Sequence, residues 1–134
     1  MARLTIDALL ERARAGLRRV TPEQAHERMR AGATVIDIRA GSQIAADGTV
    51  PGALVIARNV LEWRLDPASD ARRPDAPALD AQVIVMCDAG YASSLAAATL
   101  QSLGFASATD LDGGFQAWRA AGLPVTPPVT PPAG

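Results

Sequence analysis

The sequence predicts an α/β domain that contains a mostly parallel sheet with helices on both faces. Short runs of apolar and β-branched residues, typical of buried strands, recur along the chain. Helix caps and glycine stop signals lie between these runs, so strands and helices alternate. With 134 residues, of which 49% are hydrophobic, the chain is long enough to bury one sizeable core.

Each element is predicted from a local signal. Thr5 caps a first helix that runs to about Gly16, and Thr21-Pro22-Glu23-Gln24 is a capping box that starts a second helix. The short apolar runs predict strands over residues 34–38, 53–56, 82–86 and 107–111. Residues 40–52 are predicted to form a glycine-marked loop. The other helical segments are a turn capped by Asn59 and helices over residues 92–103 and 115–121.

The first helix combines an apolar stripe with basic charge. Its apolar stripe is predicted to pack on the core and consists of Ile6, Leu9, Leu10, Ala13 and Leu17. Nearby basic residues are interpreted as a solvated face, namely Arg12, Arg14, Arg18 and Arg19. A docking or membrane-surface helix is the alternative, but Asp7 and Glu11 dilute the positive charge.

Composition excludes several classes of function. The formal net charge of −1 argues against a general nucleic-acid binder. All 13 basic residues are arginine, so no lysine can form a Schiff base or serve a phosphate loop. One cysteine and one histidine nearly exclude a metal site built from these residue types, and a single cysteine forms no internal disulfide. No apolar run approaches the ~20 residues that a membrane helix needs. We therefore expect a cytoplasmic protein without a metal or a membrane partner.

The chemically most informative residue is Cys87, the only cysteine. It follows the predicted strand over residues 82–86, and a short loop with Gly90 separates it from the start of a helix. Unpaired amides and the dipole at a helix N-terminus favour both a thiolate and an anionic substrate. A cysteine at a strand end can also be a small buried apolar residue, which is the alternative interpretation.

Four segments carry a resemblance to a known family. They are Val35-Ile36-Asp37-Ile38-Arg39, Gly48-Thr49-Val50-Pro51-Gly52-Ala53, Cys87-Asp88-Ala89-Gly90-Tyr91-Ala92-Ser93 and Asp112-Gly113-Gly114-Phe115-Gln116-Ala117-Trp118 with Gly122-Leu123-Pro124-Val125. In order and spacing they resemble the rhodanese-like sulfurtransferases. The resemblance implies one domain over residues 18–125 with a mostly parallel five-stranded sheet. It leaves an N-terminal helical extension over residues 1–17 and a Pro-rich tail over residues 126–134, where Val-Thr-Pro-Pro occurs twice.

The resemblance also implies a reaction. Cys87 would take a sulfane sulfur from thiosulfate or a persulfide donor, hold it as a persulfide, and pass it to a thiol or cyanide. No cofactor is implied. Because the chain has no second cysteine, the acceptor must come from outside, and a protein thiol is one candidate. The implied substrate-binding residues are those of the loop, namely Asp88, Ala89, Gly90, Tyr91, Ala92 and Ser93.

The departures from the family pattern concern charge. The family's loop arginine is Ala92 here, the histidine of the second segment is Thr49, and Asp88 adds negative charge beside the thiol. Arg58 follows the strand over residues 53–56, whose end should face the same edge, so it is predicted to replace the missing cation. An ordinary surface arginine is the alternative. The hydroxyls of Ser93 and Ser94 are further candidate groups for activating the thiol.

Other polar and aromatic residues receive structural interpretations. Asp37 and Arg39 are predicted to form a structural ion pair, and Trp118 is predicted to lie in the core. Trp63 fits either the core or a pocket rim. His26 is predicted to be exposed, and nothing else in the sequence supports it as a general base for Cys87.

Two functions of different classes follow from these observations. The first is a single-domain sulfurtransferase that uses Cys87. The second is a catalytically weak module that carries sulfur or binds a regulatory partner, which the loss of the loop arginine favours. A cysteine phosphatase or arsenate reductase is disfavoured, because those enzymes need an arginine where this chain has Ala92.

Overall fold

A computed structural model describes residues 3–128 of the chain. Residues 1–2 and most of the predicted Pro-rich tail, residues 129–134, lie outside this part. The elements in chain order are α1 (Ile6–Ala15), α2 (Pro22–Arg30), β1 (Thr34–Asp37), α3 (Gly41–Asp47), β2 (Leu54–Val55), a 3₁₀ turn (Arg58–Val60), α4 (Leu61–Leu65), β3 (Val83–Met86), α5 (Ala92–Ser102), β4 (Ala108–Asp110) and α6 (Gly114–Ala120).

The sheet is parallel, as predicted, with the strand order β2-β1-β3-β4. The predicted count of five strands is wrong, since the sheet has four within residues 3–128. Where a fifth strand would lie, Val20 forms a single bridge to Leu111. Pro22 begins α2 directly after the Thr21 cap, so the chain turns into a helix before a longer ladder can form.

Helices cover both faces of the sheet. On one face, the side chains of Ile36, Val83 and Val85 pack with residues of α4 and α5. On the other face, Val35, Ile84 and Met86 pack with residues of α2 and α6, among them the predicted core residue Trp118. Alternate residues of β3 thus face opposite layers, and all four are buried, as expected for a central parallel strand.

Two predicted features of the local structure are wrong. Residues 41–47 form α3 instead of part of a loop, because Gln43, Ala45 and Ala46 favour a helix and the Gln43 side chain accepts from the Ala40 N–H. Of the glycines in the predicted loop, Gly48, with φ +78°, is the one that ends this helix. The apolar stripe of α1 is also less buried than predicted, since the helix packs on α5 but leaves Ile6 65% exposed.

The last described residues lie close to residues 48–53, one of the segments that resemble the family. The Thr126 N–H donates to the Thr49 carbonyl (2.8 Å), and the Thr126 hydroxyl accepts from the Thr49 N–H (2.9 Å). Hydrogen-bonded structure therefore reaches one residue beyond 125. The division into residues 1–17, 18–125 and 126–134 stays a prediction. Within residues 3–128, no helix combines the length and the apolar character needed to traverse a membrane.

Candidate active site

Cys87 lies directly after β3, at the carboxyl edge of the sheet, and is 8% exposed. Two backbone amides point at its sulfur. The distance from the Gly90 N to Cys87 Sγ is 3.2 Å, and that from the Ser93 N is 3.4 Å. Ser93 belongs to the first turn of α5, so the sulfur lies against a helix N-terminus as predicted. Amide donors in this arrangement stabilise negative charge on sulfur.

Two close backbone approaches shape the loop around the sulfur. Gly90 has φ +89°, and a Cβ on it would lie 2.8 Å from the Gly113 N. Gly114 has φ +64°, and a Cβ there would lie 2.5 Å from the Cys87 carbonyl oxygen. Only glycine satisfies both the positive φ and the lack of space at these positions. The Gly113-Gly114 turn therefore fits directly beneath the loop.

Amides at the start of α6 hold the base of the loop. The Phe115 N–H donates to the Cys87 carbonyl (2.9 Å), and the Gln116 N–H donates to the Asp88 carbonyl (3.1 Å). The Gln116 side chain also donates to the Asp88 carboxylate at 2.9 Å. Residues 112–118 thus support the Cys87 loop. Their glycines permit the close approach, and their amides bind the loop carbonyls.

A cavity of about 290 Å³ opens above Cys87. Its wall brings together most of the predicted site residues, namely Cys87, Asp88, Ala89, Tyr91, Ala92 and Arg58, with Ile38, Arg39, Ala40 and Gln43 beside them. Gly90 and Ser93 do not line it. They lie behind the sulfur, where their amides contact it.

Both guanidiniums that line the cavity are paired with carboxylates. Arg58 Nη1 donates to both oxygens of Glu62, at 2.8 and 3.0 Å. The predicted ion pair of Asp37 and Arg39 is present, with Nη2 2.9 Å from the carboxylate. Arg58 thus lies at the predicted edge, but its charge is largely compensated by a partner on the next helical turn.

The Asp37–Arg39 pair also anchors the edge of the cavity. Arg39 is 4% exposed, and its Nη2 donates to the Gly48 carbonyl at 2.7 Å. The Thr49 hydroxyl donates to Asp37 Oδ2 at 2.6 Å, the same carboxylate oxygen that Arg39 Nη2 contacts. Arg39 Nη1 lies 3.9 Å from the Asp88 carboxylate, which partly offsets the negative charge next to the thiol.

The hydroxyls of Ser93 and Ser94 do not face the sulfur. Both donate to the buried Asp110 carboxylate, at 2.7 and 2.8 Å. Arg19 pairs with the same carboxylate, and Arg14 donates to the Ser94 hydroxyl. The interpretation of these two arginines as part of a solvated face is therefore wrong. Their contacts join residues more than 70 positions apart, and no local pattern in the sequence signals them.

The remaining candidates lie outside the cavity wall. Trp63 is 60% exposed, so it belongs to neither the core nor this rim. The prediction that His26 is exposed is wrong, since the side chain is half-buried and contacts Trp118 edge to face, with ring centroids 5.6 Å apart. Trp118 belongs to the core layer on the α2 and α6 side of the sheet.

The chain is similar to named proteins along most of its length. It is 37% identical over 102 residues to the thiosulfate sulfurtransferase GlpE of Stutzerimonas stutzeri, which covers 76% of this chain and 84% of the relative. Protein RPA3614 of Rhodopseudomonas palustris, described as a possible tyrosine phosphatase of unknown function, superposes with a TM-score of 0.85 at 32% identity and covers 94% and 97% of the two chains. The human single-domain sulfurtransferase TSTD1 superposes with a TM-score of 0.66 at 28% identity and covers 76% and 95%.

Comparison with a family model also relates the chain to a known family, and it does not depend on any single relative. The model of the Rhodanese-like domain matches residues 21–121, well over half of the chain. The matched range contains the Cys87 loop, the Asp37–Arg39 pair and the Gly113-Gly114 turn. The chain therefore belongs to the rhodanese-like domain family.

Proposed function

We propose that the protein is a sulfurtransferase that carries sulfane sulfur as a persulfide on Cys87. One observation carries the proposal: the only thiol of the chain lies at the floor of an open cavity with two amides directed at its sulfur. Such a site stabilises the thiolate before the reaction and the persulfide anion after it. The names of relatives at 37–40% identity support the same class of reaction.

The proposed reaction has two balanced steps. The Cys87 thiolate attacks the outer sulfur of thiosulfate, the sulfur–sulfur bond breaks, and sulfite leaves with the electron pair. An external thiolate or cyanide then attacks the terminal sulfur of the persulfide. The product is an acceptor persulfide or thiocyanate, and the Cys87 thiolate is restored. An organic persulfide can replace thiosulfate, in which case a thiolate leaves instead of sulfite.

Mass measurement of the intact protein tests the proposal. The protein is incubated with thiosulfate or with an alkyl persulfide, freed of donor, and weighed before and after addition of cyanide. We expect one added sulfur, removed by cyanide with formation of thiocyanate. Failure of both donors to add sulfur would contradict the proposal. Stable loading with negligible turnover would favour the alternative, a sulfur carrier or interaction module.

Phosphate-ester hydrolysis is the second candidate, because RPA3614 is described as a possible tyrosine phosphatase. A phosphatase must bind the three oxygens of a transferring phosphoryl group, and an arginine fork normally supplies these contacts. Here Ala92 occupies that position, and Arg39 and Arg58 are bound to carboxylates. We expect no Cys87-dependent hydrolysis of p-nitrophenyl phosphate. Hydrolysis that disappears in Cys87→Ser would reverse this assignment.

Restoring a cation to the loop should improve the use of thiosulfate. Ala92 is exposed and lines the cavity, so Ala92→Arg places a guanidinium where a dianionic donor would bind. One charge-assisted contact corresponds to about a tenfold lower KM for the dianion thiosulfate, with a smaller change for an alkyl persulfide, which carries at most one negative charge. Ala106→Arg adds the same charge to an exposed loop that does not line this cavity and is the matched control. Equal KM values for both variants would disprove a charge deficit in the cavity.

Releasing Arg58 should act in the same direction. Glu62→Gln removes the carboxylate that binds Arg58 and leaves its guanidinium in the wall of the Cys87 cavity without a charged partner. We expect a decrease of about threefold in the KM for thiosulfate, because the released side chain is partly exposed and its charge is screened. The control is Glu23→Gln, which removes the same charge from an exposed position of α2 outside the cavity. If Glu62→Gln behaves like Glu23→Gln, Arg58 does not contact the donor.

A further inference from the structure

Two arginines of the N-terminal segment bind one carbonyl of the Cys87 loop. The Gly90 carbonyl oxygen accepts from Arg14 Nη2 at 2.8 Å and from Arg19 Nη2 at 2.9 Å. Arg14 Nε also donates to the Ser94 hydroxyl at 3.0 Å. Both arginines precede residue 21, where the match to the family begins. The support they give to the loop is therefore a feature of this chain outside the matched range.

A buried carboxylate lies beneath the same loop and is paired with one of these cations. Asp110 is fully buried, and Arg19 Nε lies 2.9 Å from it. Asp112, which is exposed, lies 3.2 Å from Arg19 Nη1. Within residues 3–128, by contrast, no carboxylate lies within ion-pair distance of Arg14. Arg14 therefore contributes positive charge to the loop that no neighbouring carboxylate cancels.

The shared carbonyl determines the orientation of a loop peptide. In a trans peptide the carbonyl and the following N–H point in opposite directions, so the Tyr91 N–H points away from the two guanidiniums. Two charge-assisted hydrogen bonds hold this peptide and polarise it. The peptide lies between Gly90 and Ser93, whose amides contact the sulfur. Holding it preserves the arrangement of donors around Cys87.

The neighbours of Arg19 keep it positively charged. Burial alone would lower the pKa of Arg19, but its hydrogen bond to Asp110 and the charges of Asp110 and Asp112 raise that pKa above its ordinary value. The Gly90 carbonyl therefore accepts a hydrogen bond from a side chain that stays charged.

We propose that Arg14 and Arg19 are positioning residues that hold the Cys87 loop from behind and favour negative charge on its sulfur. They supply part of the positive charge that the loop lacks because Ala92 stands where the family has an arginine. The part of the proposal that concerns the persulfide rests on the proposed sulfurtransferase function. The part that concerns the thiolate does not, and it can be measured without any sulfur donor.

The test is the pH profile of Cys87 alkylation by iodoacetamide, followed by mass. Because Cys87 is the only thiol, one rate constant describes each variant. In Arg14→Gln we expect the profile to move about 0.5–1 pH unit upward, which lowers the rate at neutral pH about threefold to tenfold and leaves the rate at high pH nearly unchanged. Arg14→Lys, which keeps the charge, should recover part of the shift. Arg12→Gln, exposed on the same helix, should match the wild type.

Asp110 provides a test of opposite sign. Asp110→Asn removes negative charge beneath the loop and leaves Arg19 unneutralised by its buried partner, so the alkylation profile should move to lower pH. Arg19→Gln leaves a buried carboxylate without its cation and risks unfolding, so it is made together with Asp110→Asn. The double variant should lie at higher pH than Asp110→Asn alone. Mere damage to the loop would move all these profiles in the same direction.

The outcomes separate the two proposals. Identical profiles for the wild type, Arg14→Gln and Asp110→Asn would overturn the positioning role, even if the wild type takes up sulfur. Shifted profiles in a protein that takes up no sulfur from any donor would uphold the positioning role and reject the sulfurtransferase function. Upward shifts in Arg14→Gln, together with a shorter lifetime of the loaded persulfide, would support both.

Discussion

Replacing Cys87 with serine should abolish sulfur uptake and reduce thiocyanate formation at least about a thousandfold, because no other group of the chain can form a persulfide. The replacement is nearly isosteric, so the free energy of unfolding should change by no more than about 1 kcal/mol. Intact mass after incubation with the donor, turnover with cyanide, and urea unfolding measure the three quantities.

Ser102→Ala is the matched control. It removes a hydroxyl from an exposed side chain of α5 that does not line the cavity, so loading should stay close to the wild type. Sulfur retained by Cys87→Ser would mean that a donor adduct forms elsewhere on the protein. A large loss in Ser102→Ala would mean that loss of a hydroxyl outside the site already disturbs loading, so that the loss in Cys87→Ser does not report on the thiol alone.

Gly114→Ala is expected to be the most destabilising single substitution near the site. Its Cβ would lie 2.5 Å from the Cys87 carbonyl oxygen and 2.6 Å from the Asp88 carbonyl carbon, and neither backbone atom can move freely. The positive φ of Gly114 adds about 1–2 kcal/mol of backbone strain. We expect the free energy of unfolding to fall by at least about 3 kcal/mol, or folding to fail.

Gly122→Ala is the control that separates the steric clash of a Cβ at Gly114 from the backbone strain of a positive φ. Gly122 has φ +74°, but a Cβ there meets nothing within 4 Å. Its unfolding free energy should fall only by the strain, about 1–2 kcal/mol, and its sulfur loading should be normal. Equal losses in the two variants, measured from urea unfolding midpoints, would show that the loop moves aside at no cost and that the approach of Gly114 does not shape the site.

Much of the fold could be predicted because its signals are local. Four consecutive apolar residues predicted β3, and the Thr21–Gln24 capping box predicted the start of α2. The strand count failed because the resemblance implied a fifth strand, whereas Pro22 begins a helix and limits that edge to one bridge. α3 was missed because Gly48 was interpreted as part of a loop, although it lies just after Ala45 and Ala46 and ends a helix.

The same distinction applies to the site. The position of Cys87 between strand and helix is local and was predicted, as was the position of Arg58 at the same edge. The pairing of Arg58 with Glu62 could also have been found, since the two are four residues apart at the start of a helix. The sequence could not predict the roles of Asp110, Arg14 and Arg19. Only tertiary packing brings these residues to the loop, and an isolated acidic or basic residue has no distinctive spacing.

The support of the Cys87 loop by α6 has a consequence for protein synthesis. Phe115 and Gln116, whose amides bind the loop carbonyls, are added to the growing chain after the loop itself. Cys87 therefore leaves the ribosome before the amides that hold its loop. The loop can reach its folded form only after the start of α6 has also emerged.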